Sequence, residues 1–509
     1  MGNSIDLQES GSTLTLPKFE VGIIGAGAAG VYLAKRLSQC GLDVAIVEAG
    51  TKNCKSLNDV GFETDFINSY YPGAVEGRAF GIGGSTSRWG GLLVPHSKLD
   101  SQAHDSETVW KNVVTRTQLH SKSVLQTLGY HGNPDFESFH ERVFNGIASD
   151  FQERNIPTVS SLFLPFRKKN LARLAQNVSD QSLTVIRNAV ASEWKCNSSG
   201  QVVACKIRSL NGSEYELHCD RFVIAAGAIE SARILLEIQD QNRSDITLSA
   251  DIGRNLGDHL SIAIADVPMR LLHDFVPRFE GDWMRTFRFL TKSELGSRRV
   301  GFAHFIFEND NAGFLLAKEC LSALQAKRFP KISLADVIRG SIGIPMLGYH
   351  RFVKRRLYIP EDTNAHLQLD MEQHPHPENK IFLTTKRDTY GRKIPAIHWA
   401  VTNKDLNTIK HCASTLIDNW NSSSVLPRLK SRSLDFENTK PHDAYHPVGV
   451  CRMGDDANAV VDHDMRVNGL KNVWCITTGV FPTAGTANPT FSMLCLAEQL
   501  VSDLSTSVL

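Results

Sequence analysis

Hydrophobic positions near the amino terminus fall into two different periods. Val21 to Ile24 form a short apolar run bounded by glycine, and Val31, Leu33, Ala34 and Leu37 then recur at helical spacing up to Cys40. A run of that length predicts a strand buried on both faces of a parallel sheet, and the spacing after it predicts a helix over 28–40 that Gly41 ends as a C′ residue. DVAIVEAG (43–50) reads as the next strand. The same grammar returns at RFVIAAGAIESARILL (221–236). Between these units the text from 101 to 180 becomes polar and aromatic with helical patches. Strand-like alternation resumes at SLTVIRNAV (182–190) and QVVACKIRSL (201–210), and Asn211–Gly212 marks a turn, so a β-meander is expected there. Residues 261–439 carry strands, helices and turns of their own and read as a unit inserted before the last 70 residues.

Length and composition agree with such a plan. At roughly 150 residues per domain, 509 residues make two to four domains with a sizeable core. The chain is 42% hydrophobic and 21% charged, with 55 Lys and Arg against 54 Asp and Glu. A net charge of +1 gives no field that would favour nucleic acid, and the apolar content argues against disorder. Ten scattered cysteines contain no C-x-x-C pair, so neither a zinc site nor a disulfide framework is indicated. No secretory signal, myristoylation pattern or 18-residue apolar stretch occurs, and a cytoplasmic location is expected by default.

Three segments carry candidate chemistry. Gly25, Gly27 and Gly30 form G-x-G-x-x-G across the first strand–helix junction, with Ala28 and Ala29 between the last two glycines, and Glu48 and Ala49 end the following strand. Gly25 makes the tight turn, Gly27 lets backbone approach a pyrophosphate, and Gly30 lets helix pack on strand. The helix N-terminus favours the anion, and Glu48 accepts from ribose hydroxyls. This predicts a dinucleotide site and leaves NAD or FAD open. The loop 77–97 packs Gly77, Gly81, Gly83, Gly84, Gly90 and Gly91 around Ser85, Thr86, Arg88 and Trp89. Backbone there is expected to pass close to a ligand, since a loop built only for mobility has little use for a central Trp and Arg. In the last segment, His446 is fixed by Pro447 and followed by Gly449, while Asn488 precedes Pro489 and Thr490, where a helix is expected to start. Sequence arithmetic alone does not single out His446 among 18 histidines.

Together, the glycine motif with Glu48, the loop GIGGSTSRWGG, the unit VIAAGAIESARILL, the tract GRNLGDHL (253–260) and the pair YHPVGVCRMG plus VFPTAGTANPT resemble the glucose–methanol–choline flavoprotein oxidoreductases. The loop is nearest their pyranose-oxidase and gluconate-dehydrogenase-like branch, and EQHPHPENKIFLTTKRDTYGRKIPAIHW (372–399) resembles the sheet of the family's substrate domain. The resemblance implies an α/β fold: a discontinuous FAD-binding Rossmann-like domain from 19–100, 181–260 and 440–509, a connecting helical segment at 101–180, and an inserted α+β substrate domain with an antiparallel sheet at 261–439. It implies FAD rather than NAD. His446 then matches the base that accepts the substrate hydroxyl proton and Asn488 the second active-site position. Ala226, Gly227 and Glu230 fall in the second flavin-contacting turn, Val190 meets adenine through its backbone, Gly479 and Val480 lie against the ribityl chain and ring, and Gly83 to Gly91 cross the flavin.

Three departures qualify the match. Some relatives attach flavin through a histidine just before the tryptophan, where this chain has Arg88, so noncovalent FAD is expected. Thr477 stands where the family usually has aspartate, and Gly479 where it often has serine. The expected reaction is oxidation of a C–OH group of a sugar, glycoside or other alcohol, with oxygen or a quinone as acceptor. A non-redox flavoprotein such as a lyase, or an acceptor- or membrane-associated subunit, is the alternative. The last is suggested by 334–359, where Arg351, Lys354, Arg355 and Arg356 follow an apolar stretch, although a substrate-domain helix with a solvated basic face is the favoured reading of that segment. Leu316, Cys320, Ala323 and Leu324 in 314–329 read as core packing or a lid, Asp258–His259 as local hydrogen bonding, and His374, His376, His398 and His442 as pocket candidates.

Overall fold

In the computed structural model, which describes residues 3–10, 15–103, 106–137, 147–176, 182–295, 298–309, 311–325 and 329–506, the two strand–glycine–helix units lie side by side. Their strands Phe19–Ile24 and Cys219–Ile224 pair in parallel, and the sheet runs Asn3–Asp6, Leu183–Arg187, Val44–Val47, Phe19–Ile24, Cys219–Ile224, Val473–Cys475, every neighbour parallel. Val44 to Val47 are all buried, as the unbroken apolar run requires of a strand covered on both faces. The helix Ala28–Gln39 packs on the carboxyl-terminal helix Thr490–Thr506, and Arg36 pairs with Glu498 at 2.8 Å between them. The antiparallel meander Val190–Cys196, Val202–Arg208, Glu214–Leu217 sets Trp194 edge-on against Phe222 of the sheet.

A second, nine-stranded sheet has the order Lys430–Ser431, His259–Pro268, Asn364–Glu372, Arg299–Phe307, Trp283–Ser293, Thr158–Phe163, Leu92–Leu93, with Arg278–Glu280 and His442–Asp443 beside it. Its paired strands are antiparallel. One face presses Phe289 and Phe305 onto Trp420 of the helix Asn403–Asn421, whose first turn is closed by a reciprocal Thr402–Asp405 cap. Trp420 is fully buried, and a side chain of that kind contributes a few kcal/mol, roughly 3–5 on truncation to alanine. Register places His259, Ser261, Asp370, Phe302 and Arg288 on the other face.

Four local expectations change. Asn3–Asp6 adds an edge strand ahead of residue 19. The 101–180 segment is helical at Glu107–Thr127 yet also supplies the strand Thr158–Phe163 to the large sheet; residues 138–146 and 177–180 lie outside those described. The run 182–190 divides at Asn188, whose φ of +49° turns the chain from the parallel sheet into the meander. Finally, the two strands within 372–399 lie apart from the large sheet. Asn364–Glu372 joins the large sheet, whereas Lys380–Arg387 and Lys393–His398 make a hairpin that pairs with Asp65–Phe66.

Candidate active site

A cavity of about 540 Å³ opens at the carboxyl ends of Phe19–Ile24, Val44–Val47 and Cys219–Ile224, where both glycine turns converge. The three glycines of the first turn have different physical reasons. Gly25 has φ +104°, and a Cβ on Gly30 would lie 1.9 Å from the Gly25 carbonyl oxygen. Gly27 has φ −71°, open to any residue, and a Cβ there would meet only the Ala225 carbonyl oxygen at 3.9 Å. The protein itself therefore does not require glycine at 27; the space beside it at the helix N-terminus suits a phosphate group. Gly25, Gly27, Ala28, Ala29, Glu48, Ala49, Val190, Ala226, Gly227 and Glu230 all line the cavity, while Gly30 lies behind it in the strand–helix contact.

Two buried carboxylates shape the cavity walls. Glu48 accepts from the Ala26 and Gly50 amides at 2.8 and 2.9 Å. Burial raises its pKa, and these amides with that of Gly81 oppose the rise. Glu230 is fully committed: one oxygen accepts from Arg233 (2.7 Å) and Arg392 (2.8 Å), the other from Arg78 (3.3 Å). Against the burial that disfavours its charge, those three guanidinium groups hold it down to about 2. Glu230 thus braces the turn. Arg78 and Arg392, which sequence reasoning did not select, line the cavity with Arg88 and give it cationic character suited to an anionic cofactor.

The loop from Gly83 to Gly91 is pinned. Trp89 Nε1 donates to the Lys169 carbonyl at 2.8 Å, and Thr86 Oγ1 accepts from the Leu171 amide at 3.0 Å. Gly83 and Gly84 take φ of +95° and +53°. Gly84, Ser85, Arg88, Trp89 and Gly90 line the cavity; Gly83 and Gly91 instead pack against Asn170 and Lys169. At the other end the lining residues are His446, Pro447, Thr477, Thr478 and Thr490, whereas Gly479, Val480, Asn488 and Pro489 stand outside that lining. Thr477 accepts from the Gly479 amide at 2.8 Å, so it closes its own turn.

His446 and Asn488 meet. Asn488 Nδ2 lies 2.9 Å from His446 Nε2, and His446 Nδ1 lies 3.2 Å from His259 Nδ1. The proton positions follow from both ends of this chain. The Gly485 carbonyl, 2.8 Å from His259 Nε2, can only accept, so neutral His259 carries its proton on Nε2 and accepts at Nδ1. At the other end Arg288 can only donate to Asn488 Oδ1, which turns the amide nitrogen toward His446. Both constraints put the His446 proton on Nδ1 and leave a lone pair on Nε2. Asp258 fixes the backbone beneath, accepting from the His259 and His446 amides at 2.7 and 2.9 Å and from the Tyr71 hydroxyl at 2.5 Å. Burial, with Asp443 nearby, pushes the Asp258 carboxyl up to about 8 despite those donors.

Burial, then the neighbouring His259, lowers His446 to about 3. A group lowered in this way stays neutral, and so able to accept a proton, from alkaline pH down past the ordinary imidazole range near 6.5. The acid limb of the reductive half-reaction should therefore lie well below pH 6.5. Stopped-flow flavin reduction from pH 5 to 9 checks this, and a clear acid inflection near 6.5 in the free enzyme would contradict it.

Sequence reasoning left His259 to local bonding and passed over Arg288, yet these are the side chains that orient the pair. Arg288 is 3% exposed, lies over the Phe302 ring at 3.7 Å, and is lowered to about 9 by burial. No motif marks it. The alternation of Trp283–Ser293 was the available signal, since a charged residue on the inward phase of a buried strand needs a partner. His374, His376, His398 and His442 do not line the cavity. His374 is buried 3.0 Å from Arg299 Nε and 2.9 Å from Thr408, and His376 and His442 are exposed.

Comparison with known proteins gives a family match over part of the chain. A GMC oxidoreductase model matches residues 375–497. Oxygen-dependent choline dehydrogenase of Cronobacter sakazakii is 22% identical over 66% of this chain and 60% of its own length. Pyridoxine 4-oxidase of Microbacterium luteolum is 22% identical over 93% of this chain and 97% of its own. The crystal structure of pyridoxine 4-oxidase from Mesorbium loti shares the fold, with a TM-score of 0.57 at 17% identity over 95% and 99% of the two chains. Residues 375–497 thus match the GMC oxidoreductase family, to which the similar proteins over the rest of the chain are related, and FAD is the cofactor.

Proposed function

We propose that the protein oxidises a C–OH group of a neutral alcohol or sugar-like polyol to a carbonyl, with His446 as general base. The observation that carries this reading is the Nε2 lone pair of His446, held between two tautomer-fixing chains at the end of the nucleotide cavity. Bound FAD supplies a hydride acceptor. His446 Nε2 accepts the hydroxyl proton, and Asn488 Nδ2, steered by Arg288, donates to the oxygen as its charge develops. The substrate loses one proton to the imidazole and one hydride from carbon, so C–OH becomes C=O. Likeness of the glycine loop to the pyranose-oxidase and gluconate-dehydrogenase branch favours a sugar or polyol over choline-like or pyridoxine-like alcohols. Anaerobic flavin bleaching against a panel of sugars, glycosides, alcohols and sterols tests both class and substrate. A flavin left oxidised by every alcohol would refute the reading.

FAD is held without a covalent bond in this proposal. Arg88 lines the cavity where some relatives have the histidine of attachment, and a guanidinium does not form that bond. Acid precipitation should release yellow flavin to the supernatant. Flavin retained in the washed pellet would overturn this.

A further inference from the structure

Between the strands Arg299–Phe307 and Asn364–Glu372 the chain leaves the large sheet as a pair of helices, Ala312–Gln325 and Leu334–Tyr349, that pack on each other. Their contact is made by glycines: a Cβ on Gly313 would come within 2.8 Å of Gly343, and one on Gly340 within 2.5 Å of Leu316. Backbones that approach this closely leave the larger apolar side chains pointing outward, as in helix pairs that pack within lipid. Of the 22 exposed large apolar side chains among the described residues, 12 lie between 315 and 353. Leu324, Phe329, Leu334, Ile338, Phe352 and Val353 are 60–94% exposed. The expected core packing of Leu324 and Cys320 is therefore not found; both are exposed, and only Ala323 of that face is buried. Residues 326–328 of that segment lie outside those described.

Charge is segregated onto the same segment. Residues 312–356 contain nine Lys and Arg and two acidic residues, against 46 basic and 52 acidic in the rest of the chain. The base is anchored: Arg351 donates to the Gly281 carbonyl at 2.9 Å and stacks on Phe279 at 3.8 Å, and the Phe279 amide donates to the Arg355 carbonyl at 2.8 Å. Lys354 and Arg355 remain exposed beside Phe352 and Val353.

We propose that this helical pair docks on the surface of an anionic lipid bilayer, its outward apolar side chains in the acyl boundary and its basic residues among the headgroups. No helix among the described residues is long and apolar enough to cross a membrane. The 16 residues of Leu334–Tyr349 span about 24 Å, a length suited to lying in the interface. A second copy of the chain is a poorer occupant, because pairing these faces would bring two strongly basic segments together.

The test uses the full-length holoprotein with phosphatidylcholine vesicles, with and without phosphatidylglycerol, in flotation assays at low and high salt. The protein should float with the anionic vesicles, and less so in high salt. Lys354→Glu with Arg355→Glu, and separately Leu334→Glu with Ile338→Glu, should each lower partitioning about tenfold or more. Both variants alter exposed side chains and should keep bound flavin and turnover of a soluble substrate, so failure of docking is distinguishable from failure of the catalytic reading. Absence of wild-type protein from anionic vesicles at low salt overturns the proposal. So does a stable dimer in solution that Leu334→Glu with Ile338→Glu dissociates while vesicle binding is absent.

Discussion

His446→Ala should slow anaerobic flavin reduction by at least about a hundredfold, since positioned proton transfer is worth roughly two to four powers of ten. The imidazole is the group whose lone pair is held free of protons by its surroundings, while His259 is committed to the Gly485 carbonyl and Arg288 cannot accept. Removal leaves His259 Nδ1 and Asn488 Nδ2 without that partner, at a cost of about 1–3 kcal/mol in stability. Flavin content and thermal melting therefore accompany the stopped-flow measurement. Near-normal reduction in a folded, flavin-loaded variant would remove His446 from the role of base.

Gly27→Val should weaken FAD binding about 10- to 100-fold while leaving the fold of the apoprotein intact. Its backbone is already in a region that any residue adopts, and the new side chain would enter the cavity rather than the protein. Overfilling a fitted space typically costs about 1–3 kcal/mol, which is this range of affinity. Gly30→Ala is the contrasting control, because its Cβ would collide with the Gly25 carbonyl oxygen at 1.9 Å. That variant should lose folded protein rather than affinity alone. Fluorescence titration of apoprotein with FAD, together with thermal melting, separates the two effects. Wild-type affinity in Gly27→Val would mean that the cofactor does not pass beside this residue.

Much of the nucleotide unit is local in origin. The glycine spacing, the apolar run before it and the acid that ends the next strand act within about thirty residues, so the turn, the helix over 28–39 and the position of Glu48 at the cavity are legible in the text. Glu230 shows the limit of such reading. Its place beside Gly227 is local, but its three arginine partners come from 78, 233 and 392, and they make it a brace for the turn. The exposed helical pair shows another limit. Its apolar period is that of any amphipathic helix, and only the glycine-to-glycine contact decides that the apolar side faces outward.

By itself the sequence determined the parallel nucleotide sheet, the glycine turns and the identity of His446 and Asn488 as a pair worth testing, the last through family likeness. These rest on short-range steric rules and on motifs contiguous in the chain. Tertiary structure alone decided how that pair is set. The lone pair on His446 is placed by a carbonyl at 485, an imidazole at 259 and a guanidinium at 288, groups that lie 39, 187 and 158 residues from His446 along the chain. Proton position depends on which donors and acceptors face one another across three separate elements, and that is a property of their packing.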